Sequence, residues 1–419
     1  MSKEFLYKYL QQGKGKVTTD SRKIQKGDVF FALKGDNFNG NLFAKDALEK
    51  GCSMVVIDED ILPKSKHVLR VENVLSFLQE IAILHRNSFN IPVIAIGGSN
   101  GKTTTKELLF YVLARKFRVH KTPGNFNNHI GVPLSILGIN RDTEIAIIEL
   151  GTNSLGEIAQ LCQIAQPNFG LITNIGKEHL EGFGSLENIA KEESELFLWL
   201  HKNGGTAFVN GNDEWLMRMS RSLTNRIVFP EEYTWTIQNK KLMPKIEFTL
   251  NGISFFSDLM GDYNFQNIQF ALGVGHYFKI ELEEIQKGIA EYIPKNQRSQ
   301  WVKWRNNDVL LDCYNANPSS MELAVHNFSQ LHGNKILILG DMFELGKEEI
   351  SEHQKIIDLC EKLDFKNVSL VGTRFGKCKH NYRHYPKTEM VKLLEMNTSS
   401  SFILVKGSRG MKLESLFSS

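Results

Sequence analysis

No stretch of the 419 residues approaches the roughly 20 consecutive apolar residues of a membrane-spanning helix. The opening MSKEFLYKYLQQGKGK has neither an apolar core nor a small-residue cleavage site, so no secretory signal is expected and the predicted location is the cytoplasm. An excess of charge of one sign is also missing, because 50 basic and 47 acidic side chains leave a formal net charge of +3. Without a general positive field any basic region is local, and nucleic acid is not an expected partner. Cysteine is sparse: Cys52, Cys162, Cys313, Cys360 and Cys378 form no CxxC pair and no cysteine–histidine spacing suited to zinc. Their scatter fits a reducing compartment. Internal repeats, low-complexity tracts and long linkers are absent from the sequence. At this length, with 42% hydrophobic residues, the chain exceeds one ordinary core and is expected to build two or three.

What the sequence does contain is alternation of apolar runs with turns and helical patterns. VFFAL (29–33) and MVVI (54–57) are separated by the turn-rich KGDNFNGN, and helical spacing follows at Val74, Phe77, Leu78, Ile81 and Leu84. From residue 91 the order becomes strand, glycine loop and helix: IPVIAI, KTTTKELLFYVLARKF, EIAIIEL (144–150), FGLITNI (169–175) and TAFVN (206–210). After the polar PKNQR (294–298) a new alternation runs through DVLLD (308–312), KILILG (335–340), NVSLV (367–371) and FILVK (402–406). Strands alternating with helices predict parallel sheets covered on both faces. The expected fold is therefore α/β in three domains. A small N-terminal α/β domain occupies 1–84, a central P-loop-type parallel-sheet domain 85–297, and a C-terminal doubly wound, Rossmann-like domain 298–419.

The strand IPVIAI runs into GGSNGKTTTKE (97–107), where glycines turn backbone N–H groups toward a phosphate and the following helix presents its positive end. Lys102 is placed to neutralise β/γ-phosphate charge and Thr103 to offer its hydroxyl to Mg²⁺. The spacing departs from GxxxxGK[ST], since Ile96 stands where that pattern needs glycine. The loop is the shorter Gly98-Ser99-Asn100-Gly101-Lys102-Thr103, continuing into Thr104. A glycine-rich turn opening an ordinary helix is the bland alternative, and the lysine followed by threonines weighs against it. Glu149 follows the apolar IAII and so emerges at the carboxyl end of a buried strand, where open α/β sheets place their ligands. Taken alone, it could equally be a salt-bridged carboxylate.

GSNGKTT (98–104) resembles the phosphate loop of the Mur ligases and of the related folylpolyglutamate and cyanophycin synthetases. The resemblance extends over nearly the whole chain. TPGNFNNHIGVPL (122–134), with Asn127 and Asn128, is similar to the family's asparagine-rich stretch, and ELGTNSLGEI (149–158) to its metal-binding glutamate segment. TNIGKEHLEGFGS (173–185) is similar to the segment that carries a metal-binding histidine, which puts His179 on a second Mg²⁺. GDYNFQNIQFALG (261–273), with Asn264 and Asn267, resembles the central glycine–asparagine segment, and Arg298 the interdomain arginine. The resemblance implies ATP and Mg²⁺ as cofactors, phosphorylation of a substrate carboxylate, and attack of an amine on the acyl phosphate.

Within the family, YNANPSSM (314–321) and LGDMFELG (339–346) resemble the branch that adds D-alanyl-D-alanine to a UDP-N-acetylmuramoyl-tripeptide. That branch places Tyr314, Asn315 and Asn317 around the adenine and ribose, and an asparagine amide can match both donor and acceptor edges of adenine. Cys313 occupies a position where the family usually carries a further acidic residue. By the same resemblance Ser21 and Arg22 meet the UDP end, while Lys406 and Arg409 in KGSRGMKLE (406–414) meet phosphate or the dipeptide carboxylate. IAKEESELFLWL (189–200) resembles a segment in which most members carry a carbamylated lysine that helps hold the second Mg²⁺. Glu193 stands at that position here, and its carboxylate offers the same oxygen chemistry. A monomer is expected. A family member adding a single amino acid, and a P-loop nucleotide switch using water as nucleophile, are the competing readings.

Overall fold

The computed structural model describes residues 3–13, 15–231, 235–393 and 400–417, and its sheets follow the apolar runs. Helix α1 (Lys3–Gln11), not expected from the pattern, is anchored by the buried Leu6. A four-stranded parallel sheet follows, in the order β1 (Val17–Thr18), β2 (Val29–Phe31), β3 (Met54–Ile57) and β4 (Val68–Arg70). Every residue of β2 and β3 is buried, as befits strands covered on both faces. Helix α2 (Val74–Arg86) buries Val74, Leu78 and Ile81, the spacing that predicted it, and Asn73 caps it by accepting from the Ser76 N–H.

The central sheet has six parallel strands, β5 (Val93–Gly97), β6 (Val119–Lys121), β7 (Ile145–Glu149), β8 (Phe169–Ile172), β9 (Thr206–Asn210) and β10 (Arg226–Phe229). Their spatial order is β10-β9-β8-β5-β7-β6. The chain leaves β5 toward β6 and β7 on one side and later passes to β8, β9 and β10 on the other. The carboxyl end of β5 is therefore the switch point, the crevice where open α/β sheets bind ligands. Helix α3 (Lys102–Leu113) starts there, α4 (Leu186–Lys202) packs against β8, and α5 (Asp262–Tyr277) packs against α3. An antiparallel ribbon, β11 (Ile237–Lys241), β12 (Ile246–Leu250) and β13 (Ile253–Ser257), is inserted before α5. Its alternating burial in β12 is the two-residue period of a half-covered strand, which the search for continuous apolar runs passes over.

The third domain holds β14 (Gln300–Trp304), β15 (Asn307–Asp312), β16 (Asn334–Gly340), β17 (Asn367–Val371), β18 (Arg383–Tyr385) and β19 (Ser401–Lys406). Their order is β14-β15-β19-β16-β17-β18, parallel except for the antiparallel edge strand β14. Helices α6 (Pro318–Ser329) and α7 (Glu349–Lys362) pack on each other. In the link into this domain Asn296, Gln297 and Ser299 all hold left-handed backbone, at φ 57°, 55° and 48°. Bonds to neighbouring strand ends hold that link, from the Ser299 N–H to Asp312 Oδ1 (3.0 Å) and from the Tyr314 N–H to the Gln297 carbonyl (3.1 Å).

Arg86, buried at the end of α2, ties the N-terminal region to the central one. Its guanidinium donates to the carbonyls of Phe89 (2.7 Å), Ala165 (3.1 Å) and Gln166 (3.1 Å). Arg86→Met keeps the apolar stem but strands three carbonyls, so it should destabilise the protein by on the order of 3 kcal/mol in urea titrations. A loss under about 1 kcal/mol would show that water satisfies these carbonyls equally well.

Candidate active site

A cavity of about 370 Å³ opens at the carboxyl ends of β5, β7 and β8, and residues of the third domain line its opposite wall. It brings together Ser99, Asn100, Gly101, Lys102, Thr103 and Thr104 of the glycine loop, Asn127, Asn128, Glu149 and His179 at strand ends, and Asn264 of α5. Arg298, Tyr314, Asn315, Asn317 and Lys406 complete it from the link and the third domain. Gly98 and Glu193 lie behind this lining, and Arg409 reaches its edge by donating to the Tyr314 hydroxyl at 3.1 Å. Ser21 and Arg22 do not line it. They lie in the N-terminal region, where Arg22 is exposed and paired with Asp20 at 2.8 Å.

The loop's glycines are conformational requirements. Gly98 (φ +110°) and Gly101 (φ +85°) are left-handed, and a Cβ on Gly101 would stand 2.6 Å from Asn267 Oδ1. That contact seats the loop on α5: Asn267 accepts from the Thr105 hydroxyl (3.1 Å) and donates to Asn264 Oδ1 (3.1 Å). The ammonium of Lys102 is held by the carbonyls of Gly98 and Ser99 and lies 3.6 Å from Glu178 Oε2. Burial lowers the Lys102 pKa, but Glu178, Glu193 and Glu149 together raise it above its ordinary value.

Glu193 is fully buried, with Oε2 accepting the Gly98 N–H at 2.7 Å. Burial pushes its carboxyl up to about 8 against the pull of Lys102, and Glu178 adds to the rise. Lys191, the nearby lysine of the same helix, is exposed. Burial likewise raises Glu178. The Oε1 atoms of Glu178 and Glu193 are buried and have no hydrogen-bond partner among the described residues.

Glu149 is held from three sides. The Thr103 hydroxyl donates to both its oxygens (3.1 and 3.0 Å), Asn127 Nδ2 to Oε1 (2.9 Å), and the fully buried Lys106 ammonium stands 3.4 Å from Oε2. Among the described residues no three or more His, Cys, Asp or Glu side chains converge as a complete metal cage. The donors still suit Mg²⁺: a hydroxyl beside a carboxylate, together with two buried carboxylate oxygens lacking partners, is an oxygen set that leaves positions for phosphate and water. His179 turns Nδ1 to Glu344 Oε2 of the third domain at 2.5 Å. Burial lowers its pKa, but Glu344 and Glu178 raise it further, and the net shift is upward.

On the third-domain wall the Arg298 guanidinium lies 3.6 Å from the centre of the Tyr314 ring, and Arg409 4.8 Å from it. Asn317 caps α6 and donates from Nδ2 to Asn100 Oδ1 of the glycine loop at 2.9 Å. The buried Lys406 pairs with Asp312 at 2.5 Å. Sequence reasoning missed Glu178, Lys106 and Asp312. Asp312 ends the buried strand DVLLD just as Glu149 ends IAIIE, so the same signal was available for it. Glu178 and Lys106 carry no such mark, because their significance lies in burial.

Comparison with known proteins gives consistent matches. Residues 16–86 match the family described as "Mur ligase family, catalytic domain", 96–275 the "Mur ligase middle domain", and 297–409 the "Mur ligase, glutamate ligase domain". The UDP-N-acetylmuramoyl-tripeptide–D-alanyl-D-alanine ligase of Bacillus subtilis (strain 168) is 34% identical over 420 residues, covering 96% of this chain and 92% of the relative. The ligase of the same name from Escherichia coli (strain K12) is 31% identical, covering 95% and 92%. Among solved structures, MurF from Acinetobacter baumannii superposes with a TM-score of 0.87 at 28% identity, covering 98% of this chain and 97% of that one. MurF ligase from Thermotoga maritima in complex with ADP gives 0.84 at 26%, covering 96% of each.

The raised Glu193 carboxyl has a consequence for stability. A group whose pKa rises on folding contributes stability that is fully present below its ordinary value of 4.5 and is lost as the pH climbs through about 8. Glu193→Gln holds the neutral form throughout. Without ligand it should melt above wild type at about pH 9, and the gap should close toward about pH 5. A gap that does not change with pH, in thermal melts across that range, would show that Glu193 does not titrate there.

Proposed function

This chain belongs to the Mur ligase family, and on that premise we propose that it is an ATP-dependent amide ligase joining D-alanyl-D-alanine to UDP-N-acetylmuramoyl-tripeptide. The observation that carries the reading is the 34% identity, across 96% of the chain, to the Bacillus subtilis ligase of that name. A cavity with a phosphate loop on one wall and an Arg–Tyr–Arg stack on the other supports it. The terminal carboxylate of the tripeptide takes the γ-phosphoryl group of ATP, giving an acyl phosphate and ADP. The dipeptide's amine then attacks the carbonyl carbon, and collapse of the tetrahedral intermediate expels phosphate and leaves the amide.

In this reaction two anions must approach in line, and the residues divide that task. Lys102 and the glycine loop from Gly98 to Thr104 take phosphate charge, the N–H groups of Gly98, Ser99 and Asn100 being already committed to Glu193 and Asn174. Mg²⁺, when bound, screens the repulsion between phosphate and carboxylate, and Thr103, Glu149, His179 and Glu193 are the side chains that would hold it. Asn264, Arg298, Tyr314, Asn315 and Asn317 take the nucleoside end of ATP. Ser21, Arg22, Asn127 and Asn128 take the UDP-precursor, and Lys406 and Arg409 the dipeptide or its phosphate neighbour. The division is 1–84 for the precursor, 85–297 for ATP and 298–419 for the ligase half. Action as a monomer is part of this reading. Work in the cytoplasm is part of this reading; no helix among the described residues is long and apolar enough to cross a membrane.

A coupled assay should show ADP release only when both peptide substrates are present. Lys102→Ala should reduce it below about a tenth of wild type with the fold intact, as expected of a group that stabilises developing phosphate charge. ADP release without the dipeptide would point instead to water as nucleophile. Since Glu193 stands where most relatives carry carbamylated lysine, wild-type turnover should be indifferent to bicarbonate and Glu193→Lys should require it. Full activity of Glu193→Ala at limiting Mg²⁺ would remove Glu193 from the metal site.

A further inference from the structure

The loop after β8 belongs to the central domain, yet the third domain holds it at several points. Ser319 Oγ accepts the Lys177 N–H at 2.8 Å, Glu352 pairs with the Lys177 ammonium at 2.9 Å, and the Glu344 carbonyl accepts the Glu181 N–H at 3.1 Å. Between these contacts lies the His179–Glu344 pair. Both residues are non-glycine and left-handed, His179 at φ 44° and Glu344 at φ 64°. Strained backbone of this kind persists only where surrounding contacts over-determine it, and it concentrates at functional sites. Here two such positions, one from each domain, meet through their side chains.

The chemistry of the pair gives the meeting a purpose. A carboxylate on Nδ1 holds the proton on that nitrogen, fixes the ring's rotation and raises the basicity of Nε2. Glu344 is itself half-exposed, with 57% of its side chain accessible, so it does not serve the core. We propose that Glu344 is a positioning residue through which the docked third domain orients His179 for a divalent cation. The histidine then makes a fixed ligand only when the two domains are in contact, so cation affinity and domain docking are linked. The proposal rests on the reading of His179 as a metal-holding residue.

Mn²⁺ binding to the full-length protein with ADP present, followed by electron paramagnetic resonance, tests it without relying on turnover. His179→Ala defines the class of bound Mn²⁺ that depends on the ring. Glu344→Gly removes the carboxylate at a backbone position that glycine accepts without strain, and equal thermal midpoints confirm that the fold is kept. It should weaken the same Mn²⁺ class about tenfold or more, the usual effect of losing a carboxylate behind a ligating histidine. Glu344→Gln retains an oxygen that can accept from Nδ1 and should recover most of the affinity. The double variant should bind no more weakly than His179→Ala alone. Wild-type affinity in Glu344→Gly beside a loss in His179→Ala overturns the role of Glu344 and leaves the metal reading of His179 standing. Wild-type affinity in both overturns the two together, and additive losses in the double variant show that Glu344 does not act through the ring.

Discussion

The structure around the cavity is arranged about a shortage of positive charge in a buried place. Glu149, Glu178 and Glu193 are all buried beside the phosphate loop, and among the described residues Lys102, Lys106 and His179 stand against them. Removing an ionised carboxylate from water costs several kcal/mol unless partners repay it. The surroundings respond where they can. Thr103, Asn127 and Lys106 converge on Glu149, the Gly98 N–H serves one oxygen of Glu193, and burial drives Glu178 and Glu193 toward their neutral forms, with Glu178 adding to the rise of Glu193. One oxygen of Glu178 and one of Glu193 remain without a hydrogen-bond partner among the described residues. Such a cluster is poised for a divalent cation, and it is unsuited to holding the phosphates of ATP without one, since a single loop lysine cannot offset both sets of anions.

This constraint also separates what could be read from the sequence from what could not. Glu149 was legible because IAII announces a buried strand and the residue after such a strand faces the crevice. The glycine loop was legible from its glycines, lysine and threonines after a buried strand, although its spacing is shorter than GxxxxGK[ST], and left-handed Gly98 and Gly101 explain its turn into α3. Glu193 is different. In the run EESE nothing separates a solvated helix face from a wholly buried carboxylate, and its burial follows only from α4 packing against β8 beneath the loop. Lys106, on the first turns of α3, is likewise invisible, because a lysine in a helical pattern normally snorkels to solvent whereas this one ends at Glu149 and the Gly124 carbonyl. The ribbon β11–β13 was missed because its burial alternates and no continuous apolar run marks it.

Division of the cavity between two domains adds a second level of control. A row of buried polar groups runs from Thr105 on α3 through Asn267 and Asn264 to Ser299, and from Ser299 to Asp312 and Lys406. In a low-dielectric interior each unmade bond in such a row is costly, so its members favour one common arrangement. Ser299 sits where the chain crosses between domains, in a link with three left-handed non-glycine residues. Strain there gives the link little to lose by rotating, while the bonds from Ser299 to Asn264 and Asp312 define the geometry in which it rests.

Docking of the third domain therefore does more than cover the nucleotide. It brings Asn317 to Asn100, Ser319 and Glu352 to Lys177, and the Arg298–Tyr314–Arg409 stack to the wall opposite the phosphate loop. An acyl phosphate exposed to water would hydrolyse, wasting ATP, so a ligase gains from assembling its phosphoryl-transfer site only when the cavity is closed. On the proposed assignment, a site whose phosphate-binding half and nucleoside-binding half lie on separate domains meets that requirement by construction. Neither half alone supplies both the charge and the orientation that in-line transfer needs, and the contacts that join them are polar.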